Sequence, residues 1–578
     1  MDRRTLLALL LTAIVIVATP FIFPPPSRVG DTTVVMPGDT VTSGVAPPTA
    51  IEQTTIRSAP AAPLPGPLPA MLAADTTLVR TDRATYRIVS PGGTPASVTL
   101  TDYRSLRPGS PPETALNMLE PGDRLFRLRF VTRRDTIALD TVAFRAGAQA
   151  RDGNAVVQTF TSASMRTPVT LTYRIPADSF IVHVSGTVGT PASGGDDPWR
   201  LLVHLPWRIR TEEANAEEDT RSLAVSYRKR VGEVESAWFR DLDSLVARVD
   251  TGSIRWVTER NKYFLVAVIP TAPDTTFQAV SMLAGPRTGK DATVANTVAL
   301  LPLRDGTFGL SVYAGPQSWE HMRATVADLE NVNPYGGWLH GMVQPFATIV
   351  MRMLLWMRHT FAVSYGWVLV IFGVVVRLML WPLNQNAMRS SLKMQRIQPQ
   401  LAELQKKHRD NPEKQREAML KLYQEYGMSP FTPVLGCLPM LLPMPILFAL
   451  YFVFQNTIEF RGVPFMWLPD LSLKDPYFIT PLFMGLSMFL LSWIGMRGVP
   501  PTPQTKMMAY VMPVMFTALF WNFASGLNLY YAVQNVAALP QQWLLSRERV
   551  ASKATTPPSP PPPNAVAAKP SQPPRKKK

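Results

Sequence analysis

The sequence predicts a polytopic α-helical membrane protein of six spans, joined to a large antiparallel β-sandwich domain. Six segments approach the roughly 20 apolar helical residues that a bilayer with a hydrocarbon core about 30 Å thick requires. Residues 360–578 carry a net charge of +13, whereas residues 1–359 carry +3. An apolar and basic half is typical of a membrane domain with basic cytoplasmic loops. Residues 73–316 show strand-length runs bounded by Gly, Pro, Asp and Asn, which predict the β-domain.

The first predicted span is Leu6–Phe23, which follows Arg3 and Arg4 and ends before three prolines. It has no clear small-x-small cleavage site, which favours an uncleaved anchor over a signal peptide. The remaining spans are Gly366–Leu383, Phe431–Thr457, Tyr477–Ile494, Met507–Phe523 and Leu527–Leu545. Only three residues separate the last two, so they are predicted to form a helical hairpin.

The distribution of Lys and Arg predicts that both termini are cytoplasmic. Loop 384–430 carries nine Lys or Arg residues, loop 495–506 carries two and the tail 547–578 carries eight. Loop 459–475 has only two, with three acids beside them. Because basic loops stay on the cytoplasmic side, the soluble region is predicted to lie outside, in the periplasm of a two-membrane cell.

The predicted domains follow from these segments and from the uneven placement of the 56 prolines. A proline-rich stretch indicates a linker, and a proline-rich, basic end indicates a disordered tail. The boundaries are 1–23 for the anchor, 24–72 for the linker, 73–335 for the β-sandwich domain, 336–360 for an interfacial amphipathic helix, 361–546 for the membrane core and 547–578 for the tail.

The soluble half contains no recognisable catalytic centre. Its strand patterns include 124–132, 168–176, 180–188, 263–270 and 293–303, and a helix pattern follows at 318–329. The single cysteine, Cys437, excludes an internal disulfide and a multi-cysteine metal site. Gly-x-Ser-x-Gly, His-Glu-x-x-His and phosphate-loop motifs are absent, and the six histidines lack metal-ligand spacing. The sequence therefore predicts neither an enzyme nor a cofactor, and His183 and His204 are interpreted as packed or surface residues.

Two helical patterns flank the second span. In 336–360, an apolar stripe with Trp338, Phe346 and Trp356 predicts a helix lying in the outer membrane interface; packing on the β-domain is the alternative. Ser391–His408 and Pro412–Tyr426 predict a basic cytoplasmic hairpin, with Asn411 positioned to cap the second helix. The hairpin is either an ordinary solvated surface or a lid that meets incoming polypeptide or a ribosome.

Arg377 lies inside the second span, about six residues, or roughly 9 Å, from its cytoplasmic end. It is either a snorkelling residue or a charge facing a hydrated cavity. Acids are absent from the six spans, and the nearest candidates, Glu459 and Asp475, lie in the outer loop. Span Phe431–Thr457 carries four prolines that bend it. The last span adds polar groups that line the cavity or bond between helices, at Asn528, Tyr530, Tyr531, Gln534, Asn535, Gln541 and Gln542.

Four segments carry a resemblance to a known family. They are "VVVRLMLWPLNQNAMRSSLKMQRIQPQL", "MSPFTPVLGCLPMLLPMPILFALYFVF", "DPYFITPLFMGLSMFL" and "MPVMFTALFWNFASGLNLYYAVQN". In sequence and order they resemble the YidC-type membrane protein insertases (the YidC/Oxa/Alb family) over about residues 335–546. The long first extracytoplasmic domain is similar to that of the two-membrane bacterial branch, for which the resemblance implies a β-supersandwich.

The resemblance implies an insertase and chaperone of the bacterial inner membrane. A nascent hydrophobic segment would enter a hydrophilic groove open to the cytoplasm, where Arg377 attracts its acidic or polar end. The segment would then leave along Phe431–Thr457 and Met507–Phe523. The predicted groove residues are Arg377, Gly373, Cys437, Pro439, Met440, Asn528, Tyr530, Tyr531 and Gln534. Of these, Arg377, Cys437, Pro439, Met440 and Tyr531 match positions of the family. Gly373 departs from the family, because related sequences can carry a hydroxyl there.

The implied partners are nascent membrane proteins, components of the Sec translocon and membrane lipids. A ribosome is a further candidate, through the cytoplasmic hairpin and the basic tail. Two other functions remain open from the residues alone. An anion transporter would use Arg377, although the spans contain no inverted repeat and no acid for proton coupling. A structural anchor for the β-domain would leave five spans without a role.

Overall fold

The computed structural model describes residues 75–132, 136–163, 168–188, 199–272, 274–287, 289, 291–303, 306–332, 340–407, 411–425, 444–498 and 503–554. They fall into two compact units. One contains all the strands together with the short segment Asn456–Glu459, and the other contains the helices from His340 onward.

The strand-containing unit holds nineteen described strands and two short helices. The strands are β1 (Thr76–Arg80), β2 (Ala84–Val89), β3 (Thr94–Arg104), β4 (Ala115–Asn117), β5 (Arg127–Val131), β6 (Thr136–Ala138), β7 (Phe144–Ala146), β8 (Ala150–Asp152), β9 (Ala155–Ser162), β10 (Val169–Pro176), β11 (Ile181–Val188), β12 (Arg200–His204), β13 (Ala224–Lys229), β14 (Val234–Trp238), β15 (Arg248–Arg260), β16 (Phe264–Pro270), β17 (Phe277–Ala284), β18 (Ala295–Pro302) and β19 (Thr307–Pro316). The helices are α1 (Ala216–Arg221) and α2 (Trp319–Thr325).

These strands form two antiparallel sheets. The smaller has the order β1-β2-β3-β4, and the larger follows β6-β5-β12-β18-β17-β15-β16-β19-β11-β10-β9-β7, with β13 and β14 joined to β15 and β8 joined to β9. In β10, buried residues alternate with more exposed ones, as expected for a strand with one face against a core. The core includes the fully buried side chains of Tyr86, Phe130 and Trp256. The prediction of a large antiparallel β-domain is confirmed.

The predicted strand segments are each found, with shorter bounds. The runs 124–132, 168–176, 180–188, 263–270 and 293–303 become β5, β10, β11, β16 and β18. The helix predicted at 318–329 ends at Thr325, and a 3-10 turn follows at Leu329–Asn331. Between them, Asp328 has a positive φ of 68°, a backbone conformation that does not continue a helix.

The helical unit contains eight described helices. They are α3 (His340–Phe361), α4 (Tyr365–Lys407), α5 (Pro412–Glu425), α6 (Met444–Asn456), α7 (Ile479–Gly495), α8 (Pro503–Lys506), α9 (Met512–Leu519) and α10 (Ser525–Ala554). A π-helical turn, Met507–Val511, joins α8 to α9, and a 3-10 turn, Phe520–Asn522, ends α9. The span predicted at Met507–Phe523 is therefore not one regular α-helix.

The structure corrects the expected hairpin. The prediction of a separate helix at Ser391–His408 is wrong, because α4 runs unbroken from Tyr365 to Lys407. Pro382 lies inside α4, where it donates no hydrogen bond to the carbonyl of Leu378 and its ring crowds that carbonyl, yet the helix continues through it. The second helix begins at Pro412, as predicted, and Asn411 Oδ1 accepts from Lys414 N at 3.1 Å. The predicted tail also begins later than residue 547, because α10 continues to Ala554.

Within the described residues, one stretch, Tyr365–Pro382, is long and apolar enough to cross a membrane; Ile479–Gly495 and Ala509–Asn522 are shorter apolar helices. The predicted span 6–23 and residues 431–443 of the third span lie outside the described residues. On α3, Phe346, Ile349 and Trp356 are exposed on one side while Val343 and Ala347 are buried. The six-span arrangement and the interfacial position of α3 stay predictions.

Candidate functional site

Arg377 is held by a glutamine of the last helix. Its Nη2 donates to Gln541 Oε1 at 2.8 Å, and Gln541 Nε2 donates to the carbonyl of Trp381 at 3.1 Å. Gln541 is 3% exposed. Residues 377 and 381 are one turn apart on the same face of α4. One amide side chain therefore ties a guanidinium and a backbone carbonyl of α4 to α10.

The charge of Arg377 has no carboxylate partner among the described residues. The ion pairs found in this part of the chain do not include it, and its Nε is buried without a hydrogen-bond partner. Gln541 is uncharged, so it accepts one hydrogen bond and neutralises nothing. The guanidinium keeps its full charge and has donors left for water or for a bound molecule.

The two outer-loop acids are engaged elsewhere. Asp475 Oδ2 accepts from Thr480 N at 2.7 Å and from Trp467 Nε1 at 3.2 Å, and its Oδ1 accepts from Tyr477 N at 2.9 Å. The bond from Thr480 N lies in the first turn of α7, and the other two hold the loop that precedes this helix. Glu459 belongs to the strand-containing unit. Neither acid pairs with Arg377.

Two prolines lie beside the Arg377–Gln541 contact. Pro382 follows Trp381 in α4, and Pro540 precedes Gln541 in α10. Because proline lacks an N–H, the carbonyls of Leu378 and Val536 lose their helical donors. Both helices therefore lack one regular backbone hydrogen bond within about one turn of the arginine contact, which adds polar character to an apolar region.

An aromatic cluster lies along the same two helices. Tyr530 is 1% exposed and its ring packs 5.7 Å from that of Phe372 and 6.3 Å from that of Phe454. Gln534 Nε2 donates to the Tyr530 hydroxyl at 2.6 Å. Tyr531 packs edge-on against Phe520 at 5.4 Å. Tyr530 and Gln534 thus satisfy each other's polar groups inside the bundle.

Gly373 is a point of close approach between α4 and α10. A Cβ built on it would lie 3.1 Å from Val533 Cγ1 and 3.6 Å from Tyr530 Cδ2. A side chain at this position would therefore point into α10. Gly373 therefore has a packing role between the two helices, and the loss of a polar group from the groove lining stays a prediction.

Asn528 lies far along α10 from Arg377. It is fully buried and donates from Nδ2 to the carbonyl of Phe520 at 3.2 Å. Thirteen residues separate it from Gln541, which is about 20 Å of helix. The structure therefore does not bring Asn528 to the arginine. Cys437, Pro439 and Met440 lie outside the described residues.

One end of the helical unit is closed by the loop between α6 and α7. Ser525 N donates to the carbonyl of Leu473 at 2.7 Å, and Gly526 N donates to the carbonyl of Leu471 at 2.9 Å. The rings of Phe478 and Trp521 stack at 4.6 Å. These bonds anchor the start of α10, whose Gln541 holds Arg377 further along.

Comparison with known proteins gives the family. A family model described as the 60Kd inner membrane protein matches residues 356–553, and one described as the YidC periplasmic domain matches residues 76–349. The membrane protein insertase YidC of Chlorobium luteolum is 30% identical over 455 residues, which cover 74% of this chain and 71% of that protein. This chain belongs to the YidC family of membrane protein insertases. The family resemblance predicted from the motifs is confirmed.

Two further YidC proteins are similar to this chain. The membrane protein insertase YidC of Anaeromyxobacter sp. strain Fw109-5 is 34% identical over 311 residues, 52% of this chain, so the match spans about half (53%) of that protein. A crystal structure described as an active YidC insertase with its first transmembrane domain resolved is 17% identical, covers 82% of this chain and 93% of its own, and gives a TM-score of 0.33.

The two YidC family models divide the chain as the fold does. The periplasmic-domain model covers every described strand, and the inner-membrane model covers α4 to α9 and nearly all of α10. The chain is therefore an inner-membrane protein of the YidC family with a periplasmic domain.

The partner of Arg377 was not among the site residues predicted from the sequence. Gln541 stood only among the polar residues of the last span. The sequence feature that could have indicated Gln541 is its position directly after Pro540, in a part of the last span that is otherwise mainly apolar. Three other predicted groove residues, Tyr530, Tyr531 and Gln534, lie on the same helix as Gln541 but contact one another.

Proposed function

We propose that this YidC-family chain inserts hydrophobic polypeptide segments into the inner membrane, acting alone or with the Sec translocon. In this proposal both termini are cytoplasmic, six spans cross the membrane and the strand-containing unit is periplasmic. The helical unit holds a hydrophilic groove open to the cytoplasm and to lipid. The single observation that carries the proposal is Arg377, a charged residue in an apolar helix whose only described partner is an uncharged amide.

A charged arginine in mid-span costs about 2.5 kcal/mol or more, so a water-accessible position is favoured over direct contact with lipid chains. A carboxylate at the leading end of a segment would pair with the open donors of the guanidinium. Its apolar part would meanwhile remain in the bilayer, where the hydrophobic effect favours it. The electrostatic attraction brings one end of the segment into the groove, and the hydrophobic gain along the rest drives the segment out into lipid.

The outward faces of α7 and α9 support a membrane setting for this step. Exposed side chains on them are large and apolar: Leu482, Phe483, Leu486, Val514 and Met515. Such a surface is unfavourable in water and suits contact with acyl chains or with an apolar segment. We propose that segments leave along this side, past 431–457 and 507–523.

The proposed partners are nascent membrane proteins, Sec components and lipids. A ribosome would meet the cytoplasmic hairpin within residues 384–430, which hold nine Lys or Arg against five Asp or Glu, and the basic tail. No catalytic step and no cofactor form part of the proposal.

The test is insertion of a single-span substrate with an acidic leading end into vesicles that carry wild-type, Arg377→Lys or Arg377→Ala protein. Wild type and Arg377→Lys are expected to insert the substrate and Arg377→Ala to fail. Abundance and thermal unfolding of the three proteins, measured in the same preparation, control for folding. Insertion by Arg377→Ala equal to that of wild type would remove the arginine from the mechanism. Uptake of a small anion without insertion would favour the transporter function.

A further inference from the structure

We propose that Gln541 is a positioning residue that aims the Arg377 guanidinium at the substrate, so that the insertase discriminates between acidic and neutral leading ends. This inference rests on the proposed function. It assigns a role to a residue of the last helix that touches the arginine but is not expected to touch the substrate.

The Gln541 side chain makes two hydrogen bonds that have different roles. Its Oε1 accepts from Arg377 Nη2 at 2.8 Å, while its Nε2 donates to the carbonyl of Trp381 at 3.1 Å. The second bond fixes the orientation of the amide, since a flipped amide would present Nε2 to a cation and Oε1 to a carbonyl. The oxygen is therefore held toward the arginine.

A long arginine side chain loses considerable rotamer freedom when it is fixed. In Gln541 the bundle supplies a buried acceptor, already oriented, for one guanidinium edge. Because the amide carries no charge, the remaining donors keep full attraction for a carboxylate. An acid at position 541 would instead neutralise the guanidinium and compete with the substrate.

The neighbouring residue offers a matched control. Gln542 follows Gln541 in α10 but lies against Gly495 of α7, where a Cβ on the glycine would overlap its amide nitrogen. A glutamine amide can thus be removed from one turn of α10 at either of two positions. Gln541 lies beside Arg377, and Gln542 lies beside α7.

The experiment compares wild type, Gln541→Met, Gln541→Ala, Gln541→Glu and Gln542→Met as full-length proteins in vesicles. Two substrates are used that differ only in Asp or Asn at the leading end. Wild type and Gln542→Met are expected to insert the Asp substrate faster than the Asn substrate. Gln541→Met and Gln541→Ala are expected to lose about tenfold of the rate for Asp with little change for Asn. Gln541→Glu is expected to insert Asp substrate no better than Asn substrate.

The discrimination ratio separates positioning from a structural role, because a loosened bundle would lower both rates together. Coupling adds a second readout: in an Arg377→Lys background, Gln541→Met should have little further effect. An unchanged Asp-to-Asn ratio in Gln541→Met, or a faster Asp rate, would overturn the inference while leaving the insertase function in place. Failure of wild type to insert either substrate would instead overturn the proposed function.

Discussion

Gly373 and Val533 approach so closely that a Cβ on the glycine would lie 3.1 Å from Val533 Cγ1. This contact sets the spacing of α4 and α10 about one turn along α4, and about two turns along α10, from the Arg377–Gln541 bond. Small residues at such points let helix backbones approach in a membrane bundle.

Gly373→Val should therefore push the two helices apart. Overpacking of this kind typically costs about 1–3 kcal/mol, so we expect a lower thermal unfolding temperature in detergent and slower insertion. Gly341→Val is the matched control, because Gly341 is also helical and a Cβ placed on it would meet nothing within 4 Å. Equal unfolding temperatures for the two variants would show that α10 moves to accommodate the larger side chain at position 373 without loss of stability.

A pH prediction concerns His204, at the end of β12. Burial, reinforced by the positive charge of Arg129, lowers the pKa of His204 to about 4. The folded state therefore prefers neutral His204, and its contribution is complete above the unfolded pKa of about 6.5. As pH falls from about 6.5 to about 4, this contribution, on the order of 3 kcal/mol, should be lost.

Hydrogen exchange of β12 and β18 in the full-length protein measures this loss, and His204→Gln should flatten it. His359→Gln, which alters an exposed histidine of α3, serves as control. Exchange from β12 that rises equally in His204→Gln and wild type would assign the acid sensitivity to other groups.

Glu259 of β15 should have the opposite pH dependence. Burial, and secondarily the charge of Asp123, raises the pKa of Glu259 well above its usual value. The folded state therefore favours the protonated acid, and stability declines as pH rises from the unfolded pKa through the folded one. Glu259→Gln should remove this decline and increase stability at pH 7 by about 1 kcal/mol or more.

Thermal unfolding of the strand-containing unit, followed by its β-sheet circular dichroism at pH 5 and pH 7, checks the prediction. Glu113→Gln, which changes a side chain that is 90% exposed, should leave both values unchanged. A Glu259→Gln protein that is less stable than wild type at pH 7 would mean that the ionised carboxylate is satisfied inside the fold.

Asp475 should be essential to the closed end of the helical unit. Asp475→Ala leaves the amides of Tyr477 and Thr480 without their acceptor, which typically costs about 1–2 kcal/mol for a helix cap. We expect faster hydrogen exchange in residues 467–482, with Met466→Ala, which changes a residue that is 69% exposed, as the control. Unchanged exchange in Asp475→Ala would show that the stack of Phe478 on Trp521 is enough to hold the loop.

The sequence predicted best those features that depend on local pattern. The runs 168–176 and 180–188 match β10 and β11 within one residue at each end, because alternation and flanking turn residues are local signals. The separate helix predicted from Ser391 was wrong, because it was also inferred from local pattern alone. The predicted span ended at Leu383, but residues 384–390 contain neither proline nor glycine, and the helix continues past Pro382.

The site was harder to predict, because its central contact joins residues 164 positions apart. Arg377 stood out alone as a charge in an apolar run. Its partner could be chosen only once the packing of α4 on α10 was known, and that packing depends on Gly373 and Val533. The packing contact of Gly373 could not be predicted for lack of the same information, because a missing hydroxyl is visible in a sequence while the neighbour that a side chain would meet is not.

The unbroken helix α4 has a mechanical consequence. Its 43 residues form a rod roughly 65 Å long, about twice the thickness of a hydrocarbon core. Near its far end, Leu404 packs on Leu422 and Tyr423 of α5. Pro382 makes the rod most pliable one residue beyond Trp381, where Gln541 holds it. A force on the end of α4 near Leu404 would therefore bend the helix at Pro382, beside Arg377. In this way a load applied outside the bilayer would act on the charged position within it.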